Sequence, residues 1–152
     1  MRIEEYSYRG ATGIIPLNMQ EQVRDTLRHI AAPIQHRGAP KIRQEVTACL
    51  RSLGWSNQVR LDSTSHITIS AVKDHVGICV QLGNVSRIYA DLLKLQTLFI
   101  RDSIGAGVII LPTPQAARTL GQNIANSARL QRELTIFNAV VTLPLWLVSF
   151  DD

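Results

Sequence analysis

Residues 66–84 read HITISAVKDHVGICVQLGN, and this stretch decides the fold. Its first part, up to Ala71, has the alternating and β-branched composition of a strand. Lys73–Asp74 supplies a turn, and Gly77–Leu82 is a short apolar strand that ends at Gly83–Asn84. The pattern predicts an antiparallel pair of strands that leads into the centre of a sheet.

The residues after this strand pair predict a helix and a second buried strand. Apolar side chains recur at helical spacing over residues 86–101, and Ala106–Leu111 is wholly apolar. A strand, a helix and a further buried strand form a βαβ unit, so its two strands should run parallel. We therefore expect an α/β fold organised around the unit His66–Leu111.

The segments that precede this unit predict an N-terminal arm and two helices. Residues 1–18 are polar and contain two glycines and a proline, which is typical of an arm or an irregular strand. A helix is expected over residues 19–31, capped by Asn18 and ended by Pro33, and a second helix over residues 40–53.

The segments that follow predict helix and then strand. Residues 114–138 have a helical pattern that Gly121 interrupts. Residues 141–150 form a final strand, and Pro144 within it indicates a sheet edge or an irregularity. An apolar surface on this strand and on the helix before it could then serve a protein partner.

Composition limits the class of protein. The chain has 152 residues, 45% hydrophobic and 18% charged, which suits one globular domain over residues 1–152. The N-terminus lacks a signal peptide and no apolar run could span a membrane, so we expect a cytoplasmic protein with no membrane partner. The two cysteines, Cys49 and Cys79, are expected to be buried free thiols.

Basic residues concentrate in the N-terminal half, within a formal net charge of +4. Between residues 21 and 60, three acids (Glu21, Asp25 and Glu45) face seven cations, namely Arg24, Arg28, Arg37, Lys41, Arg43, Arg51 and Arg60. The excess fits either a solvated helix surface or a surface that contacts phosphates. Glycine-rich nucleotide loops and a serine nucleophile elbow are absent, and the histidines lack metal-ligand spacing.

Residues 69–84 resemble the active-site segment of the BglII-like type II restriction endonucleases, within the PD-(D/E)xK nuclease superfamily. That group carries Glu-x-Gln where most of the superfamily carries Glu-x-Lys, and Cys79-Val80-Gln81 stands at this position here. The strand GAGVIILPT (105–113) and the segment LPLWLVSFDD (143–152) follow the family's order and spacing. The resemblance covers residues 40–152 and implies a restriction-endonuclease-like core, with a mixed central sheet flanked by helices.

The resemblance also assigns catalytic positions, and two of them have lost their acids. In the family, two carboxylates on the strand pair hold Mg²⁺. Gln81 is retained, but Cys79 replaces the second acid and Ser70, eleven residues before Gln81, replaces the first. A hard cation prefers anionic oxygen ligands, so we expect impaired or lost hydrolysis and assign no metal ligand. Mg²⁺ is the expected cofactor only if the protein is active.

Three acids remain as candidates for a relocated ligand. Asp62 lies on or after the strand that enters the site, and Glu45 and Asp91 lie on helices that can flank it. Each also fits a solvated surface charge. Cys79 is a poor candidate nucleophile, because a thiol in an apolar strand has a raised pKa.

The implied partners are double-stranded DNA and a second copy of the chain. In the family, the residues after the catalytic Gln help to read bases, and these are Gly83 and Asn84 here. Asn84 fits either a base contact or a turn. The other DNA-contacting residues that we predict are Arg87, Arg43 and Lys41.

Three functions stay open on the sequence. The first is a DNA-binding protein on a nuclease fold without hydrolysis, which we favour. The second is an active Mg²⁺-dependent endonuclease with relocated acids. The third is a non-catalytic scaffold or partner subunit of a nuclease. Because fold similarity does not establish function, DNA binding and cleavage must be tested separately.

Overall fold

The computed structural model describes all 152 residues and places a five-stranded mixed sheet at the centre of the molecule. The elements, in chain order, are β1 (Arg2–Tyr8), α1 (Ala11–Ile14), α2 (Leu17–Arg28), α3 (Ala39–Ser52), β2 (Val59–Arg60), β3 (Thr68–Ile69), β4 (Ala71–Lys73), β5 (Val76–Val80), α4 (Arg87–Ile100), β6 (Ala106–Pro112), α5 (Pro114–Leu120), α6 (Ser127–Ile136) and β7 (Leu145–Asp151).

The sheet has the order β1-β7-β6-β5-β4. Strands β5, β6 and β7 run parallel, whereas β4 and β1 are antiparallel to their neighbours. The short strands β2 and β3 form a separate hairpin. The predicted unit is confirmed, since an antiparallel pair is followed by a helix and by a parallel buried strand.

Helices cover both faces of the sheet, and each face has its own hydrophobic core. Alternate side chains of β5 point to opposite faces, so Ile78 and Val80 join the core beneath α2 and α3, while Cys79 joins the core beneath α4 and α6. The same alternation carries Gln81, two residues beyond Cys79, to the α4 side.

Two glycines allow α4 to lie close to the sheet. Gly77 of β5 pairs with Gly107 of β6, and a Cβ atom at either position would lie 3.0–3.3 Å from neighbouring side-chain carbons, including those of Leu95. A side chain added at either glycine would overpack the core, which costs about 1–3 kcal/mol in stability where the neighbours cannot relax. Asp91 precedes Leu95 by one helical turn, so this contact also fixes the height of Asp91 above the sheet.

The N-terminal segment differs from its prediction. Residues 2–8 form a regular strand that pairs along its whole length with β7, where an arm or irregular strand was expected. Helix α2 begins at Leu17 and has Pro16 at its N-cap, so Asn18 lies inside the helix and does not cap it. The helix ends at Arg28, five residues before Pro33.

The C-terminal strand is also more central than predicted. Strand β7 lies between β1 and β6, and all seven of its residues are buried. Pro144 precedes the strand, so its missing N–H costs no hydrogen bond of the sheet. Its carbonyl still accepts a hydrogen bond from the Gly107 amide (2.9 Å). The strand predicted over residues 141–150 thus begins only at Leu145, and of the two alternatives, edge or irregularity, the edge with apolar surface for a partner is wrong for residues 145–151.

The other predicted helices are confirmed within a few residues. Helix α3 matches 40–53, α4 matches 86–101, and Gly121 separates α5 from α6. None of the helices combines the length and the apolar composition that crossing a bilayer would need.

Candidate functional site

A cavity of about 270 Å³ lies where β3, β5 and α4 meet. It brings together six of the predicted site residues and adds Lys94 and Gln58. The six are Ser70, Cys79, Gln81, Asp91, Arg43 and Arg87. Gly83, Asn84, Lys41, Glu45 and Asp62 do not line it.

A second cleft of about 400 Å³ adjoins the cavity on the α3 side. Arg43, Gln58 and Ser70 line both spaces, so they mark the junction between them. Arg51 also lines the second cleft. The two spaces together form a groove with cationic side chains along it.

Ser70 lies beside β5 although eleven residues separate it from Gln81. Its backbone amide donates to the Ile78 carbonyl (2.9 Å), and its hydroxyl Oγ accepts from the Val80 amide (3.0 Å). Because the turn at Asp74 folds the chain back, positions 70 and 79 meet across the strand pair. These are the two positions that the resemblance assigns to the family's acids.

The side-chain amide of Gln81 is engaged at both ends. Its oxygen Oε1 accepts from the Gly83 amide (2.9 Å), and its nitrogen Nε2 donates to Oδ2 of Asp91. Both side chains are buried. Gln81 is therefore fixed between the end of β5 and α4.

Asp91 is the one carboxylate in the cavity. Burial raises its pKa, against the opposing effects of the Gln81 hydrogen bond and the Lys94 ammonium. Lys94, one turn along α4, lies 3.5 Å from Oδ1. Of the three relocated-acid candidates, only Asp91 reaches the site.

Three cations line the same cavity as this carboxylate, namely Arg43, Arg87 and Lys94. Nη1 of Arg43 donates to the Val80 carbonyl at 2.6 Å, which fixes the guanidinium over the end of β5. Burial lowers the pKa of Arg43, but an arginine still stays charged in a protein. The cavity thus has an excess of positive charge, which suits an anionic ligand.

Cys79 has no means of activation in the cavity. Burial raises the pKa of its thiol well above the ordinary value, and the nearby Asp91 carboxylate raises it further. A neutral thiol is a weak nucleophile and a poor ligand for a hard cation. Cys49, predicted to be buried, is instead partly exposed, and it accepts a hydrogen bond from Thr26 (3.4 Å).

Glu45 and Asp62 stabilise local backbone away from the cavity. Glu45 accepts from the amides of Ala31 and Ala32, both at 3.0 Å. Asp62 accepts from the Thr64 amide and hydroxyl, and these bonds lower the pKa of its exposed carboxyl. Their carboxylates therefore hold loops in place.

Asn84 begins the turn that leads into α4. Its oxygen Oδ1 accepts from the amide and the hydroxyl of Ser86, both at 2.9 Å, which is the turn role that the sequence allowed. The neighbouring Gly83 carbonyl accepts from the Ala125 amide (2.9 Å), so the loop after α5 braces this segment. Asn84 and Arg87 are exposed beside the cavity, whereas Lys41 is exposed on α3.

The donor set does not fit Mg²⁺, which is the metal that the family generally uses. Magnesium requires near-octahedral oxygen ligands and usually one or two carboxylates. The cavity offers two hydroxyls, a thiol, two side-chain amides and one carboxylate that already binds Gln81 and Lys94. No three histidine, cysteine or acidic side chains lie together as a metal site would need.

Comparison with known proteins places the chain in a family. A family model described as restriction endonuclease BglII/BglIII matches residues 3–150, which extends the resemblance beyond residues 40–152 to nearly the whole chain. No curated protein matches the sequence.

Two solved structures share the fold. The crystal structure of restriction endonuclease BglII complexed with a DNA 16-mer superposes with a TM-score of 0.84 at 16% identity, over 100% of this chain and 78% of that one. The crystal structure of free BglII gives a TM-score of 0.79 at 16% identity, over 100% and 80%. The mixed sheet flanked by helices is thus the BglII endonuclease fold. From the match over residues 3–150, the chain belongs to the BglII/BglIII restriction endonuclease family.

Proposed function

We propose that this protein binds double-stranded DNA through the groove at Arg43 and has lost Mg²⁺-dependent phosphodiester hydrolysis. One observation carries the proposal. Ser70 and Cys79, the positions that the resemblance assigns to the family's two acids, both line a cavity that has three cations and a single carboxylate. The groove keeps the charge for holding a phosphate, but its donors do not suit a divalent cation.

Membership of the family supports the DNA partner, and one relative in it was crystallised with a DNA 16-mer. On this proposal Arg43 and Arg87 contact the backbone from inside the groove, and Lys41 contacts it from α3. Asn84 is exposed, and its amide nitrogen is the group of that side chain left to face a base, since its oxygen binds Ser86.

The test measures binding and cleavage on the same DNA. Short duplexes of mixed sequence are titrated by fluorescence anisotropy at several salt concentrations, and supercoiled plasmid is incubated with Mg²⁺ and with Mn²⁺. We expect binding that falls steeply with salt, because phosphate contacts release counterions, and no nicking with either metal. Wild-type protein that binds duplex no better than a neutral control protein would refute DNA binding.

A second candidate function is an active endonuclease, and the position of Asp91 favours it. Asp91 is the one predicted alternative acid inside the cavity, in direct contact with Gln81. Metal-dependent nicking that both Asp91→Asn and Gln81→Ala abolish would establish this candidate and refute the loss of hydrolysis. A third candidate, a scaffold for another protein, would require a stable complex without DNA affinity.

We also propose that the protein is a homodimer, with α4 at the interface. Leu93 and Ile100 on α4 are 64% and 73% exposed, and Ile67 on the β2–β3 hairpin is 50% exposed. Ile67 and Leu93 line one shallow apolar cleft. A second copy is the occupant that we propose, because two subunits related by a two-fold axis match a symmetric DNA site.

A further inference from the structure

Arg43 is a half-buried cation without an acidic partner. Its Nη1 donates to the Val80 carbonyl at 2.6 Å, and none of the ion pairs in the structure includes it. A guanidinium has five N–H donors in a planar fork, so most of them remain free here. Removing a charge from water without a counter-charge is unfavourable, and such a position is typical of a site for an anion.

The anchor of Arg43 places it at the centre of the site. Val80 lies between Cys79 and Gln81, and the Val80 amide also binds Ser70 Oγ. The guanidinium is therefore next to both positions that lack their acids. It also stands at the junction of the cavity and the cleft, since Arg43 lines both.

We propose that the guanidinium of Arg43 takes the place of a divalent cation and binds one backbone phosphodiester of DNA directly. This inference rests on the proposed function and adds that Arg43 stands in for the metal, so that binding of the phosphate is independent of a divalent cation. A guanidinium can donate two parallel hydrogen bonds to two phosphate oxygens, which gives a geometry that a bound metal would otherwise provide.

The charges around Arg43 agree with a singly charged phosphodiester as the ligand. Arg87 and Lys94 line the same cavity, and Lys94 partly compensates Asp91 at 3.5 Å. A phosphate between Arg43 and Arg87 would meet two cations that no carboxylate pairs with. A divalent cation at the same place would be repelled by both.

The experiment compares variants in duplex binding, with EDTA and with Mg²⁺. Arg43→Met removes the charge and keeps a long apolar stem, and Arg43→Lys keeps the charge without the fork. Arg132→Met is the matched control, because Arg132 is exposed on α6 and lines neither space. Circular dichroism and thermal melting establish that each variant is folded.

EDTA is expected to leave wild-type binding unchanged. Arg43→Met should weaken binding at least about tenfold, as expected for the loss of charge-assisted hydrogen bonds. It should also lower the slope of log K against log salt by about one, as expected for one lost phosphate contact. The affinity of Arg43→Lys for duplex DNA should lie between that of Arg43→Met and that of the wild type.

Equal affinity and slope for Arg43→Met and Arg132→Met would overturn the inference, as would wild-type binding that requires Mg²⁺. If the methionine variant does not fold, Arg43→Lys is compared with Arg132→Lys, and equal affinity of this pair overturns it. These outcomes leave duplex binding by the wild type intact. They are therefore distinct from failure of the proposed function, in which the wild type either fails to bind duplex DNA or cleaves it.

Discussion

Gln81 donates a hydrogen bond from its side-chain nitrogen to the carboxylate of Asp91, and this contact joins the end of β5 to α4. The other end of the same amide accepts from Gly83 at 2.9 Å. The glutamine of the family motif is thus held by two partners within the chain. It positions Asp91, and Asp91 in turn is the one acid among the cations of the cavity.

The first prediction concerns the stability of Asp91→Asn as a function of pH. Burial raises the pKa of Asp91 in the folded state above its ordinary value of 3.8. The folded protein therefore holds this proton more tightly than the unfolded chain does. The group favours folding below pH 3.8, and that contribution is lost as the pH rises through the folded-state pKa.

An asparagine at position 91 keeps an acceptor for Gln81 and cannot ionise. The free energy of unfolding of Asp91→Asn, relative to wild type, should therefore increase as the pH rises from below 3.8 to neutrality. Urea unfolding at a series of pH values measures this difference. A difference that does not change with pH, or that falls, would contradict the buried position of the carboxyl.

Local sequence pattern was sufficient for the sheet centre and insufficient for its edges. The β5–α4–β6 unit could be predicted because each element has a strong periodicity and a clear break at Asn84 or Pro112. The N-terminal strand β1 could not be predicted, because its polar residues resemble those of a loop. Its strand conformation depends on the hydrogen bonds that it forms with β7. Pro144 led to the prediction of an edge strand for a related reason. It lies one residue before β7, where a proline does not interrupt the sheet, and the sequence did not show where the strand begins.

The site was predictable where spacing along one element determines geometry. The resemblance supplied Ser70 and Cys79 as the acid positions, and the alternation of strand side chains places Gln81, one residue after β5, on the same face as Cys79. Lys94 was missed although it lies one turn from Asp91 on α4, which is a spacing that indicates contact. The contact of Arg43 with Val80 joins residues far apart in sequence, and no local pattern predicts it.

The second prediction separates the two roles of Asn84. Its oxygen binds both the amide and the hydroxyl of Ser86 at the start of α4, so Asn84→Ala should lower the free energy of unfolding by about 1 kcal/mol, in line with the loss of a cap. Asn84→Ser keeps a short hydrogen-bond acceptor, so its free energy of unfolding should fall by less. If Asn84 also reads a base, both variants should lose preference among duplex sequences, and this is measured by competition between labelled duplexes.

A loss of stability without any change in sequence preference would assign Asn84 to the turn alone. Asn84→Ala with unchanged stability would instead contradict the turn role, because two hydrogen bonds to Ser86 would then contribute nothing.

The third prediction restores the missing acids. Ser70→Asp with Cys79→Glu places two carboxylates beside Val80, where the Arg43 guanidinium lies. We expect this double variant to bind Mn²⁺ weakly, because the guanidinium will pair with the new carboxylates. Adding Arg43→Met should free them and strengthen Mn²⁺ binding, as measured by calorimetry or by the electron paramagnetic resonance of free Mn²⁺.

The control for metal binding is Arg132→Met added to the same double variant, which removes an equal charge elsewhere. If this control binds Mn²⁺ as tightly as the Arg43→Met triple variant, then Arg43 does not occupy the place of a cation. Folding of each variant is followed by circular dichroism, because Cys79 is buried and a glutamate there adds volume and charge.

The fourth prediction concerns self-association through α4. Leu93 is 64% exposed and lies near Ile67 in an apolar cleft, so an aspartate at position 93 should place a charge in the proposed interface. Leu93→Asp should be a monomer at concentrations where the wild type is a dimer. It should also bind duplex DNA more weakly, because the second subunit no longer raises the effective concentration at the adjacent half-site.

Leu17→Asp provides the matched control, since Leu17 is 75% exposed at the start of α2. Sedimentation equilibrium over a range of concentrations measures the mass of all three proteins. A wild type that stays monomeric throughout would refute the dimer. A wild-type dimer that Leu17→Asp dissociates as readily as Leu93→Asp would place the interface elsewhere than α4, because Leu93 lines the apolar cleft and Leu17 does not.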